Sequence, residues 1–194
     1  MSTVIKRSRT LRLHHLHGMR GVSLIEVLVA VLLSVIGLLA LAGANVASVR
    51  YSKMSQYRGT ATMLAADLAE RMRANPSGLV PGAGYEVTAN FAAQASLAAP
   101  STACETYVKT CPAANMAAYD LSTWRNVVRS QLPNGSVSIA TTTTTAADVW
   151  LAWQDPAVAA PNENSTDARN FAKECPPNFS TDQSVRCIYF RINL

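Results

Sequence analysis

Past residue 17 this chain has no histidine, before residue 76 no proline, and before residue 26 no acid. The histidine gap is the most restrictive. His14, His15 and His17 are the full set, all within a basic N-terminal flank. Loss of residues 1–21 would leave no imidazole, which excludes Ser–His and Cys–His nucleophilic catalysis and His-ligated zinc from the remainder. No phosphate-cradling glycine loop, CxxC or HExxH pattern occurs, and no pair of carboxylates stands out as an acid/base couple. The expectation is a non-enzymatic protein with no catalytic residues, no cofactor and no metal site.

Charge is sparse and unevenly placed. The 194 residues carry 17 Lys and Arg against 12 Asp and Glu, a formal net charge of +5. Lys6, Arg7, Arg9, Arg12 and Arg20 account for that surplus, because from Val22 onward 12 bases face 12 acids. A nucleic-acid-binding surface needs its basic excess in the folded domain, so no nucleic-acid partner is expected. The bases instead flank an apolar run on the side expected to stay in the cytoplasm.

That run is GVSLIEVLVAVLLSVIGLLALAG, Gly21 to Gly43, and from Val27 to Val49 no residue is charged. As a helix, 23 such residues span about 35 Å, enough for a bilayer core of about 30 Å. Glu26 lies just inside it, where an isolated carboxylate costs roughly 2.5–3.5 kcal/mol on insertion scales. Three readings are open: a plain signal anchor, a secretory signal cut after Ala40-Leu41-Ala42, or a precursor cut ahead of the apolar run. Against the second, Val46, Val49, Met54, Tyr57, Ala61, Leu64, Leu68 and Met72 prolong a helical stripe. The stripe stops at Asn75-Pro76-Ser77-Gly78, a strong helix terminator. Residues 23–74 therefore read as one helix of about 78 Å, apolar all round in its first half and amphipathic in its second.

Arg20-Gly21 followed by Val22-Ser23-Leu24-Ile25-Glu26 resembles the processing site of type IV prepilins. The resemblance implies cleavage after Gly21 by a membrane prepilin peptidase, which also methylates the new amine on Val22. It implies too that Glu26 serves peptidase recognition and assembly. Four residues separate Val22 from Glu26, which on a helix puts them on one face, and an acid in the first turn suits the helix dipole. With staggered subunits, one chain's Glu26 can pair with another's ammonium. Valine replaces the more usual phenylalanine at 22, and the 21-residue leader is long for the family. Gly37 and Gly43 offer local weakness where the membrane half lacks proline, at about 1 kcal/mol each.

Further along, Leu64-Ala65-Ala66-Asp67-Leu68-Ala69-Glu70-Arg71-Met72-Arg73-Ala74-Asn75-Pro76 resembles the helix end of PilV-type minor pilins. Cys111-Pro112, Met116-Ala117-Ala118-Tyr119-Asp120-Leu121, Trp124, Leu132-Pro133-Asn134-Gly135 and Trp153-Gln154-Asp155 follow the same family's order; the likeness is weak from about 156 to 178. Most of these residues have a structural explanation. Trp124, Val127 and Val128 make the apolar stripe of a helix near 120–131, with Asp120 as N-cap. Arg71 and Arg73 can pair with Asp67 and Glu70 along the helix. Trp150 and Trp153 fall on opposite faces of one strand, with Trp153 in the core.

The organisation expected is a cleaved leader (1–21), a transmembrane and assembly half-helix (22–49), an amphipathic half-helix (50–75) and a periplasmic globular domain (76–194). Ser136–Ala140 alternates as a strand does, Ala147–Gln154 and Val185–Asn193 read as two more, and Thr141–Thr145 reads as a strand end and hairpin. The fold class is α+β, a long N-terminal helix packed on a C-terminal antiparallel sheet. Cys104, Cys111, Cys175 and Cys187 allow three disulfide connectivities in an oxidising compartment. Local pairing, Cys104–Cys111 and Cys175–Cys187, is expected, and the bracketed C-terminal loop common in pilins adds to that expectation.

For function, the resemblance implies a structural minor pilin in a tip complex that primes type IV pilus assembly and supports twitching motility and adhesion. The alternative is a minor pseudopilin of a type II secretion system. Implied partners are the prepilin peptidase, other minor pilins, the major pilin, the inner-membrane assembly platform and a tip adhesin. The implied location is the inner membrane, single-pass with the C-terminal domain periplasmic, and later the pilus tip.

Overall fold

The computed structural model describes residues 21–82, 84–99, 103–104, 110–155 and 174–194. Its compact units are Met1–Val46 and Ala47–Leu194. Helix α1 runs Leu24–Ala74. Ser23 precedes its first turn, and its carbonyl accepts from Glu26 N (2.9 Å) and Val27 N (3.3 Å). In the first unit every described residue is exposed, Leu24, Leu28 and Leu39 among them. The sequence there has apolar groups on all sides and no polar face, and α1 is long and apolar enough to cross a membrane.

In the second unit α1 buries one stripe, Ala61, Leu64, Ala65, Leu68, Ala69 and Met72. Steps of three and one return each residue to the same side of a 3.6-residue helix. The expected stripe is longer than the covered one, since Val46 and Val49 are exposed and Tyr57 is partly buried. The helix ends at Ala74, where Pro76 has no N–H to continue the ladder.

Helix α2, Ala113–Gln131, begins after Pro112, whose carbonyl accepts from Met116 N at 3.0 Å. The expected start near 120 with Asp120 as N-cap is therefore corrected. Asp120 lies inside α2, and its carboxylate serves tertiary partners instead. Ala117, Leu121, Trp124 and Val128 form the buried side.

The three strands are β1 (Ser136–Thr143), β2 (Ala146–Gln154) and β3 (Val185–Asn193), in the order β1-β2-β3 and antiparallel throughout. The threonine run ends β1, and the hairpin register shifts at Thr141–Thr143. Pairing of Trp150 with Tyr189 and of Trp153 with Arg186 fixes which residues share a face. Val149, Leu151 and Trp153 meet the helices, and Trp153 is fully buried 6.4 Å from the Tyr57 ring. Trp150 lies on the other face, over a second cluster of Ala152, Phe179, Val185 and Cys187.

The free edge of β1 is covered in two ways. Val87 exchanges backbone bonds with Ile139 (2.9 and 3.0 Å), and the buried Gln94 amide imitates a strand against Val137. Gln94 Nε2 donates to Val137 O at 2.7 Å, and Val137 N donates to Gln94 Oε1 at 3.2 Å. The approach to this edge needs Gly84, which has φ +63° and where a Cβ would come within 1.9 Å of the Gly78 carbonyl oxygen. Disulfides join Cys104 to Cys111 and Cys175 to Cys187. The second ties the loop carrying Phe179 to β3.

Candidate assembly site

The site has two separate parts, the start of α1, for which the described residues supply no ion pair, and a joint that holds the globular unit on its helix. Gly21 and Val22 precede α1, and Glu26 stands in its first turn. Ser23 and Glu26 have the residue types and spacing of a capping box. Val22 itself lies two residues ahead of the first helical residue, so the helix backbone does not fix its face relative to Glu26. Among the described residues Glu26 has no ion-pair partner; the ion pairs present lie in the second unit. Around it Leu24, Ile25, Val27 and Leu28 are exposed. Among the described residues this end presents an acid and apolar side chains.

The joint is built from the Arg71–Pro76 stretch. Arg71 pairs with Asp67 one turn earlier (3.3 Å) and reaches Asp120 on α2 (3.5 Å). Arg73 pairs with Glu70 (2.6 Å) on the exposed side. Met72 is fully buried between them. Asn75 Nδ2 donates to the Ala113 carbonyl (2.8 Å), joining the end of α1 to the start of α2. Tyr85, missed by sequence reasoning, completes the joint, its hydroxyl donating to Asp120 Oδ2 at 2.6 Å. Burial first, and then the bond to Asp120, push its pKa far above the ordinary tyrosine value. Nothing marked Tyr85 beforehand, since it is a lone aromatic in a glycine-rich loop. The joint therefore gives the Arg-Met-Arg-Ala-Asn signature a packing role.

A second ionic group ties the C-terminal loop down. Arg186 of β3 and Asp155 are both nearly inaccessible, with Arg186 Nε 3.8 Å from Asp155 Oδ2. Burial lowers the Arg186 pKa, while Asp155 and then Glu174 counteract it. Glu174 pairs with Arg58 of α1 at 3.6 Å.

A long apolar N-terminal helix followed by a small three-stranded antiparallel sheet is the α+β architecture of type IV pilins. Residues 45–122 match the Tt1218-like family, described as type IV pilin Tt1218. The match takes in the second half of α1, the joint and the first half of α2, and it supports a type IV pilin with a structural rather than enzymatic role. It covers less than half of the chain and does not reach Gly21, Val22 or Glu26. No curated protein and no solved structure matches.

Proposed function

We propose that the chain is a minor pilin of PilV type, made as a precursor and used in a tip complex that primes type IV pilus assembly. The basic leader keeps the N-terminus on the cytoplasmic side, and α1 holds the subunit in the inner membrane with its C-terminal domain periplasmic. Prepilin peptidase cuts after Gly21 and methylates the Val22 amine, which stays cationic. That cation on one subunit pairs with Glu26 on the next, and the exposed apolar half of α1 exchanges lipid for the helices of other minor pilins and the major pilin. An inner-membrane platform drives the exchange, and the finished tip, with a tip adhesin, serves twitching motility and adhesion.

The observation that carries this reading is Glu26, an acid in an apolar helix with no ion-pair partner among the described residues. An unpaired carboxylate in hydrocarbon is costly, and a neighbour's freed amine compensates it. Sheared surface pili provide the test. Mass spectrometry should find this chain beginning at Val22, in low amount relative to the major pilin. Recovery with Met1 attached, or beginning at Gly43, contradicts the proposal.

A further inference from the structure

The sheet has an outer face, opposite the one that packs on the helices. Side chains alternate along a strand. With Val149, Leu151 and Trp153 turned to the helices, Asp148 and Trp150 of β2 share the outer face with Tyr189 and Arg191 of β3. Cross-strand pairing sets these residues in rows. Ser138, Trp150 and Tyr189 form one row, and Ala140, Asp148 and Arg191 form the next. The β1 member of each row is small, so the aromatic pair stands beside a low shelf.

The Trp150 and Tyr189 rings have centroids 5.1 Å apart and planes tilted by 44°. Trp150 is braced by the cluster that contains Phe179 and Cys187, and Tyr189 is 47% exposed. The Tyr189 hydroxyl donates to Asp148 Oδ1 at 2.6 Å, and Arg191 Nη1 donates to the same oxygen at 3.0 Å. These bonds fix the carboxylate and the guanidinium beside the rings while leaving their other polar atoms unused. Among the described residues Asp148 Oδ2 accepts from no group, and Arg191 Nε, Arg191 Nη2 and Trp150 Nε1 donate to none. Exposed ring surface thus adjoins held acceptors and donors that have capacity left.

We propose that this face binds a neutral hexopyranose unit of a glycan. The occupant must offer a flat apolar surface to the aromatic pair and hydrogen-bonding groups at its rim to Asp148 and Arg191. A pyranose ring does both, since its C–H groups make an apolar face and its hydroxyls each donate and accept. Charge narrows the choice. Asp148 and Arg191 compensate each other at 3.0 Å, so the pair offers no net charge to a phosphate, a carboxylate or an ammonium. Vicinal hydroxyls use both members at once, one donating to Asp148 Oδ2 and its neighbour accepting from Arg191. The site is independent of the pilin reading, because it uses neither Glu26 nor α1.

The test titrates the full chain, in micelles of a detergent without a sugar headgroup, with methyl β-D-glucopyranoside, methyl β-D-galactopyranoside and methyl α-D-mannopyranoside. The tryptophan indole N–H resonances are followed by NMR, and Trp150→Phe assigns the Trp150 signal. Saturable movement of that signal is expected with at least one glycoside, while the signals of the fully buried Trp124 and Trp153 stay in place. Sorbitol, which carries hydroxyls without the ring, should bind at least about tenfold more weakly, a comparison that needs no variant. Tyr189→Ala should weaken binding by about tenfold, and Arg191→Ala by about fivefold or more. Both side chains are exposed, and unshifted Trp124 and Trp153 signals show that each variant remains folded. Absence of saturation by every glycoside overturns the proposal, as does equal binding of sorbitol or binding that survives both substitutions.

Discussion

Tyr85 sits between the end of α1 and the middle of α2, and its hydroxyl satisfies a partly buried acid. Tyr85→Phe removes a donor to a carboxylate that no longer has free access to water. A loss of about 2 kcal/mol in unfolding free energy is expected by urea denaturation. The pH dependence has a definite sign. The folded pKa is raised above the unfolded one, so the contribution is complete below about pH 10 and is lost as pH rises beyond it. The native protein should therefore lose stability more steeply than Tyr85→Phe above about pH 10, read from denaturation midpoints across that range. The two buried tryptophans make a second contrast. Trp124 Nε1 donates to the Leu64 carbonyl at 3.0 Å, whereas Trp153 Nε1 is buried with no hydrogen-bond partner among the described residues. Both substitutions by Phe lose similar volume, so Trp124→Phe should be the worse by about 1 kcal/mol; equal losses would show that this hydrogen bond contributes nothing net.

At the scale of elements, α1 has two sides with different duties in its second half. Leu68 is fully buried and Met63 is 68% exposed. Leu68→Ala should cost about 2–4 kcal/mol through the cavity it leaves. Met63→Ala should stay within about 0.5 kcal/mol, and thermal melts of the two variants check both. The Cys175–Cys187 bond closes a short loop, its ends 12 positions apart in sequence. Replacing both cysteines by serine should cost about 3 kcal/mol and should expose Phe179, seen as faster proteolysis in the 174–187 segment.

These elements also show what a sequence discloses. The stop at Asn75-Pro76 was legible because a proline ends a helix by its own chemistry. Strand β1 was legible because Ser136 to Ala140 alternates polar and apolar, as a half-buried strand does. The start of α2 was not, since Ala113 to Ala118 is small and lacks a periodic apolar stripe. Asp120 there imitates a cap while its partners, Arg71 and Tyr85, lie far away in sequence. Gln94 gave no signal either, because its burial depends on Val137 of β1. At the start of α1 the sequence displays the residues Gly21, Val22 and Glu26, and the described structure gives Glu26 no ion-pair partner that would show its use.

The whole molecule joins a folded unit that contains all the ion pairs among the described residues to an apolar half-helix whose acid has none there. That division makes Glu26→Gln the sharpest test of assembly. The substitution preserves shape and keeps a hydrogen-bonding group in the first turn, and it lowers the desolvation cost of an isolated subunit. Membrane insertion should therefore be undiminished, and the globular unit, which makes no use of Glu26, should keep its melting temperature. Incorporation into pili should nevertheless fall about tenfold or more, because the neutral amide no longer compensates a neighbour's ammonium in a medium of low dielectric, where such a pair is worth more than about 1.4 kcal/mol. The measurement is the ratio of variant to native chain in sheared pili, taken with the same ratio in the inner membrane and with the N-terminal residue of each pool. A variant that begins at Val22, accumulates in the membrane and is missing from pili places the glutamate in subunit pairing. One that retains its leader moves the role of Glu26 to peptidase recognition. One that enters pili at the native ratio removes the charge pair from the assembly mechanism.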